Sequence, residues 1–227
     1  ASNVDSKTWH IDLTAPTLSV SGSPNAITNQ LTATFSFSAS DSGGGTVASL
    51  SCNLDSAGYA SCASPYINVL SAGAHTLLIK ATDTAGNVSA VQSFSWTIDT
   101  SLPTVSIASK PASLTNSTGA SFTFSGTDTG GGSVASYECN LDSAGYSACT
   151  SVKTYTGLAA IAHTIAIRAI DTAGNIGSAT SYSWTIDLTT PLASINSGPD
   201  SLTNSTSASF AFSVYSPPAG SITGYEC

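Results

Sequence analysis

Short runs in which hydrophobic residues alternate with hydroxyl-bearing or small ones recur along the whole of this 227-residue chain. Thr34-Phe35-Ser36-Phe37-Ser38 is one such run, and Phe122 with Phe124, then Phe210 with Phe212, repeat it. Leu77, Ile79 and Ala81 alternate in a later run matched by Ile165, Ile167 and Ala169, in which Lys80 and Arg168 point outward. Phe94, Trp96 and Ile98 form another, matched by Tyr182, Trp184 and Ile186. A period of two places the apolar side chains on one face of a strand and the polar ones on the other, so each run is a strand with one core face and one wet face. No stretch offers a helical period. Glycine, proline, asparagine and aspartate separate the runs. A short edge strand carrying Val20, Ile107 or Ile195 follows each of Pro16, Pro103 and Pro191, and glycine turns stand at 43–45 and 130–132. Asp83-Thr84-Ala85-Gly86-Asn87 recurs at 171–175, where Gly and Asn suit a positive φ and the aspartate can bond its own backbone. Seven or so strands at regular spacing predict an all-β sandwich.

The pattern is also periodic on a longer scale. Cys-Asn-Leu-Asp-Ser-Ala-Gly-Tyr occurs at 52–59 and again at 139–146, and a second cysteine closes each block at Cys62 and Cys149. Trp9, Trp96 and Trp184 recur 87 and 88 residues apart, and Cys139 and Cys227 are 88 apart. These anchors divide the chain into the last strand of a preceding repeat (1–14), two complete repeats (15–101 and 102–189) and the start of a third (190–227), where Gly224-Tyr225-Glu226-Cys227 matches Ser136-Tyr137-Glu138-Cys139. Ends so far out of phase lead us to expect a window from a longer chain, since Phe210 and Phe212 would otherwise lack a facing sheet and Cys227 a partner. A one-residue difference between the repeats falls before His75 and His163, in a loop.

Hydrophobic residues make up 41% of the chain and charged ones only 8%, which favours packed sandwiches over a disordered chain rich in Ser and Thr. The formal net charge is −8 with only five basic residues, so there is no electrostatic footprint for nucleic acid. No apolar run reaches the length of a membrane span.

Each cysteine pair flanks a short hairpin at even separation, so both side chains can project from one face of neighbouring strands. We expect disulfides Cys52–Cys62 and Cys139–Cys149, and with them an oxidising, extracellular setting; reduced, buried thiols are the alternative. His75 and His163 hold one equivalent position and His10 an outward one, with no Gly-x-Ser-x-Gly elbow nearby, so all three read as structural and no enzyme is visible. No lysine is repeated, so no Lys–Asn cross-link is expected. Tyr59 and Tyr146 at the hairpin tip are candidate contacts for a glycan or protein, against the plainer reading in which each ring folds back over the disulfide.

The Asp-x-Ala-Gly-Asn turns, the Trp-Thr-Ile-Asp closing strand and the proline junctions resemble bacterial immunoglobulin-like repeats of large surface proteins, over the whole chain. That resemblance implies tandem immunoglobulin- or fibronectin-like sandwiches displayed outside the cell as a rigid stalk, spacer or adhesive fibre, with neighbouring repeats as partners. Alternatives are a subunit of a self-assembling filament, with identical chains as partners, and a carbohydrate-binding module for surface glycans. In such a fold the turn after the second strand and the turn before the last share one end. Asp41 and Asp83 should therefore approach Asp12, and Asp128 and Asp171 should approach Asp99. Three carboxylates with backbone carbonyls and an Asn are calcium-ligand chemistry, so calcium at the junctions is the candidate cofactor. Capping of their own turns explains each aspartate without a metal.

Overall fold

A computed structural model describes residues 5, 7–215, 222–224 and 226; the expectations placed on Tyr225 and Cys227 lie outside them. Two compact units divide the chain. One comprises Ala1–Pro103, Asp128–Ala135 and Ile170–Ile176, the other Thr104–Thr127, Ser136–Ala169 and Gly177–Cys227. The glycine turn and the Asp-x-Ala-Gly-Asn turn of residues 102–189 thus belong to the same unit as residues 15–101.

Within residues 15–101 the strands are β1 (Thr17–Gly22), β2 (Ile27–Thr28), β3 (Thr32–Ser40), β4 (Val47–Leu54), β5 (Ala60–Ser61), β6 (Tyr66–Val69), β7 (Gly73–Asp83) and β8 (Gln92–Ile98). They form a three-stranded sheet, β1-β3-β6, and a five-stranded sheet, β2-β8-β7-β4-β5. The sheets bury one common core: Leu18, Ala33, Phe35 and Phe37 from the first meet Cys52, Leu77, Ile79, Trp96 and Ile98 from the second. All neighbours are antiparallel except β2, which runs parallel to β8 with Ile27 opposite Thr97. The alternation read from sequence is the alternation of burial along β3, where Ala33, Phe35 and Phe37 are buried and Thr32, Thr34 and Ser38 exposed. The Phe35 and Trp96 rings meet edge-on with centroids 5.2 Å apart, a preferred geometry for an aromatic pair.

Residues 102–189 repeat the plan with β9 (Thr104–Ser109), β10 (Leu114–Thr115), β11 (Ala120–Thr127), β12 (Val134–Leu141), β13 (Ser147–Cys149), β14 (Lys153–Tyr155), β15 (Ala162–Asp171) and β16 (Thr180–Ile186). The sheets are β14-β11-β9 and β10-β16-β15-β12-β13. Phe122, Ile165, Ile167 and Ile186 are buried to 1% exposure or less, and the Phe122 ring lies 5.3 Å from that of Trp184. Each repeat has eight strands where the sequence indicated about seven. The elements not read from the sequence are the two-residue parallel strands β2 and β10 and the short strands β6 and β14, all too short to show a period.

Beyond these, β17 (Leu192–Ser197) pairs antiparallel with β18 (Ala211–Tyr215), and Ile195, Phe210 and Phe212 are exposed there. At the other end, residues 7–16 carry no strand, and Trp9, Ile11 and Leu13 are more than 70% exposed. Their alternation matches that of β8, but a strand needs a neighbour to take up its backbone N–H and C=O groups, and none is paired with them among the described residues.

Candidate functional site: two aspartate clusters

β3 ends at Ser40 and β7 ends at Asp83, which brings Asp41 and Asp83 to the same end of the fold as Asp12. Carboxylate oxygens of the three lie within 4.8 Å of one another. Asp99, which follows β8, meets Asp128 after β11 and Asp171 at the end of β15 in the same way. Both convergences expected from sequence are present, and both lie within the first compact unit. No basic side chain forms an ion pair with either cluster among the described residues; the ion pairs there are His75–Asp55, His163–Asp142 and Arg168–Glu138.

The six carboxylates do not share one role. Asp83 caps its own turn: Oδ1 accepts the N–H groups of Ala85, Gly86 and Asn87 at 2.7–2.9 Å, and Oδ2 accepts Asn87 Nδ2 at 2.8 Å. Burial works against its charge, but these hydrogen bonds outweigh burial and hold the carboxyl below its ordinary value. Asp171 repeats the arrangement with Ala173 and Asn175. The same asparagine amides reach across to the Asp12 carbonyl at 3.1 Å and the Asp99 carbonyl at 2.8 Å. Asp99 accepts Ser101 N–H and Gly132 N–H, and Asp12 Oδ1 accepts Thr14 N–H.

Asp41 and Asp128 cap nothing. Both oxygens of each are buried without a hydrogen-bond partner, as is Asp12 Oδ2. A buried polar oxygen with no partner is costly, and two other carboxylates within 4.8 Å add to the cost. Glycines shape both clusters. A Cβ at Gly45 would stand 2.5 Å from Asp12 Oδ2 and 3.0 Å from Asp41 Oδ2, and one at Gly132 would stand 2.6 Å from Asp99 Oδ2 and 2.9 Å from Asp128 Oδ2.

The cysteines are bonded as expected, Cys52 to Cys62 and Cys139 to Cys149, with Cα atoms 5.7 and 5.8 Å apart. The register makes each pair diagonal: Cys52 faces Ala60, and Cys139 faces Ser147. Within the repeated Asp-Ser-Ala-Gly segment the hairpin turn does not fall on Ser-Ala-Gly. It is centred one residue earlier, where Asp55 and Ser56 both take positive φ and Ala57 N–H donates to the Leu54 carbonyl at 2.9 Å. Tyr59 and Tyr146 do not stand free at the tip. The Lys80 ammonium sits 4.1 Å from the centre of the Tyr59 ring and the Arg168 guanidinium 3.9 Å from that of Tyr146, so one face of each ring is taken.

Sequence reasoning missed two histidine–aspartate pairs, His75–Asp55 and His163–Asp142, each at 2.7 Å. The available signal was their joint recurrence, Asp55 with His75 and Asp142 with His163, at almost constant spacing.

No helix among the described residues is long and apolar enough to cross a membrane. The signature of the bacterial Ig-like domain family matches residues 6–100. No curated protein matches the chain. Similar solved structures include fibronectin(III)-like modules of Clostridium thermocellum CbhA, 16% identical over 75% of this chain and 94% of that one, with a TM-score of 0.42. They also include the D00-D0 domain of intimin, 12% identical over 76% and 99%, TM-score 0.32. The central fibronectin-III array of RIM-binding protein is 13% identical over 83% and 76%, TM-score 0.26. Residues 6–100 thus carry the signature of a bacterial Ig-like domain, and residues 102–189 repeat the same two-sheet sandwich.

Proposed function

We propose that the chain is a structural repeat region of an extracellular or cell-surface protein, a spacer or adhesive stalk whose successive repeats are tied by calcium. The observation that carries the calcium reading is the pair of aspartates without partners. Turn capping accounts for Asp83 and Asp171, but it leaves four buried oxygens of Asp41 and Asp128 unexplained. A divalent cation held by Asp12, Asp41 and Asp83, and a second held by Asp99, Asp128 and Asp171, would give those oxygens a partner and offset the mutual repulsion of three carboxylates. Calcium suits an all-oxygen donor set better than zinc or copper, which favour nitrogen and sulfur. It would supply charge neutralisation and cross-linking, with no chemical step. The disulfides in both repeats support an oxidising compartment.

Calorimetric titration of the chelator-treated protein with calcium tests this. Two binding events are expected, of which Asp41→Asn removes one and Asp128→Asn the other. In calcium-free buffer each variant should melt at or above the parent, because it removes a repelling charge, yet lose the rise in Tm on adding calcium. Absence of binding heat together with a Tm indifferent to calcium would overturn the reading.

A further inference from the structure

Two histidines in equivalent places, His163 buried and His75 nearly so, have both ring nitrogens aimed at acceptors. His75 Nε2 lies 2.9 Å from the Ser71 carbonyl and Nδ1 lies 2.7 Å from Asp55 Oδ2. His163 Nε2 lies 3.0 Å from the Ala159 carbonyl and Nδ1 lies 2.7 Å from Asp142 Oδ2. A carbonyl oxygen can only accept, so Nε2 carries a hydrogen. The second contact then needs one more proton, on either Nδ1 or the carboxyl. The carboxyl is the poorer place for it, because its other oxygen already accepts a backbone N–H: Thr76 donates to Asp55 Oδ1 and Thr164 to Asp142 Oδ1, both at 2.8 Å. Each aspartate side chain is also about 40% exposed to water, whereas the histidines are 9% and 4% exposed. A carboxylate and an imidazolium result, by the ordinary difference of more than two units in their proton affinities.

The surroundings fit that charge. The Trp96 ring centre is 5.6 Å from that of His75 and the Trp184 ring centre 5.4 Å from that of His163, within the range over which an indole face attracts a cation. The groups facing His75 are thus Asp55 from the β4–β5 turn, the Ser71 carbonyl from the approach to β7, and Trp96 of β8. Those facing His163 are Asp142, the Ala159 carbonyl and Trp184. The Tyr155 phenol on β14 also feels the Asp142 charge, and burial and that charge both favour its neutral form.

We propose that His75 and His163 are imidazolium cations in the folded protein, each the centre of a proton-held latch. The latch joins the left-handed hairpin turn at Asp55 or Asp142 to the loop that enters β7 or β15, and rising pH releases it. The direction of titration agrees. Burial opposes the charge of both histidines, but the aspartate hydrogen bond, the carbonyl and the aspartate charge outweigh it and raise both above the ordinary value. A raised folded value means that the latch contributes fully below the unfolded value near 6.5 and is lost as pH climbs through the folded one. Between the two, folding weakens by up to about tenfold per pH unit for each latch.

Long-range proton–nitrogen NMR of the full chain at pH 7.5 tests the assignment, with His10 identified from a His10→Gln variant. His75 and His163 should both show two protonated ring nitrogens. Asp55→Asn should convert His75 alone to a neutral tautomer, and Asp142→Asn should convert His163 alone, so each repeat serves as the control for the other. Neutral-tautomer signals from the parent protein at this pH, or titration at or below 6.5, would overturn the proposal. Should a variant fail to fold, the parent spectrum still decides. The urea midpoint of the parent should fall between pH 6 and 9, and that fall should be flattened in a His75→Gln, His163→Gln double variant. An unchanged slope would also count against the latch.

Discussion

Asp83 and Asp41 are the same residue type at the ends of β7 and β3, strands of the two facing sheets, and only their environments separate a turn cap from a candidate ligand. Asp83 has three backbone N–H groups aimed at one oxygen, whereas Asp41 has none at either. The glycines make that difference possible. Gly132 donates its N–H to Asp99 at 2.8 Å and leaves no room for a methyl group, since a Cβ would sit 2.6 Å from the Asp99 carboxylate and 2.9 Å from that of Asp128. The constraint is space, not backbone, because Gly132 is absent from the positive-φ positions. We expect Gly132→Ala to cost about 1–3 kcal/mol, as overpacking typically does, and to weaken calcium binding at the second cluster while leaving the first intact. Urea unfolding and calorimetry of the variant check both halves.

The hairpin made of β4, its turn and β5 is the element in which three devices meet: a disulfide, a left-handed turn and a cation over a tyrosine. β5 is only two residues long and makes a ladder with Ser51 and Cys52 alone, so hydrogen bonds give it little hold. The Cys52–Cys62 bridge compensates by tying the arm to the buried face of β4, where Cys52 is 4% exposed. Sequence separation is 10 residues, and closing so short a loop stabilises the fold by about 3 kcal/mol or less in the chain-entropy model. A Cys62→Ser, Cys52→Ala pair should lower the unfolding free energy by about that much, read from the urea midpoint. β12 with β13 should respond alike to loss of Cys139–Cys149. Lys80 over Tyr59 and Arg168 over Tyr146 give the outward face of each hairpin a use internal to the repeat, which weakens the case for these tyrosines as a glycan platform.

Across the whole molecule, the titrating groups set stability from both sides of neutrality. Asp55, Asp83, Asp142 and Asp187 are held below the ordinary carboxylate value; for the first three, burial opposes the shift and hydrogen bonds outweigh it, and for Asp187 the Thr189 hydrogen bonds lead. Groups with lowered values contribute above their unfolded value near 4 and lose that contribution as pH falls through the folded one. The two histidines act in the opposite sense and lose theirs as pH rises beyond about 6.5. Stability should therefore be greatest between about pH 4 and 6.5 in calcium-free buffer, with losses on both flanks. A series of urea midpoints from pH 3 to 9 checks this, and a profile rising steadily to pH 9 would contradict it.

Strands, sheets and repeats were legible in the sequence because burial on one face of a strand imposes a period of two that Phe35, Phe37, Leu77, Ile79, Trp96 and Ile98 display openly. The cysteine pairs were legible because a hairpin puts partners close in sequence close in space. Convergence of Asp12, Asp41 and Asp83, and of Asp99, Asp128 and Asp171, also followed once sandwich topology placed their turns at one end. Which of those aspartates are capped and which are left without a partner was decided only by tertiary structure, since it depends on whether a neighbouring turn aims its N–H groups inward. The latch was hidden for the same reason. Asp55 lies in the turn after β4 and His75 in β7, and their encounter rests on a positive φ at Asp55 and on the register of β4 against β7, neither of which leaves a periodic trace in the chain.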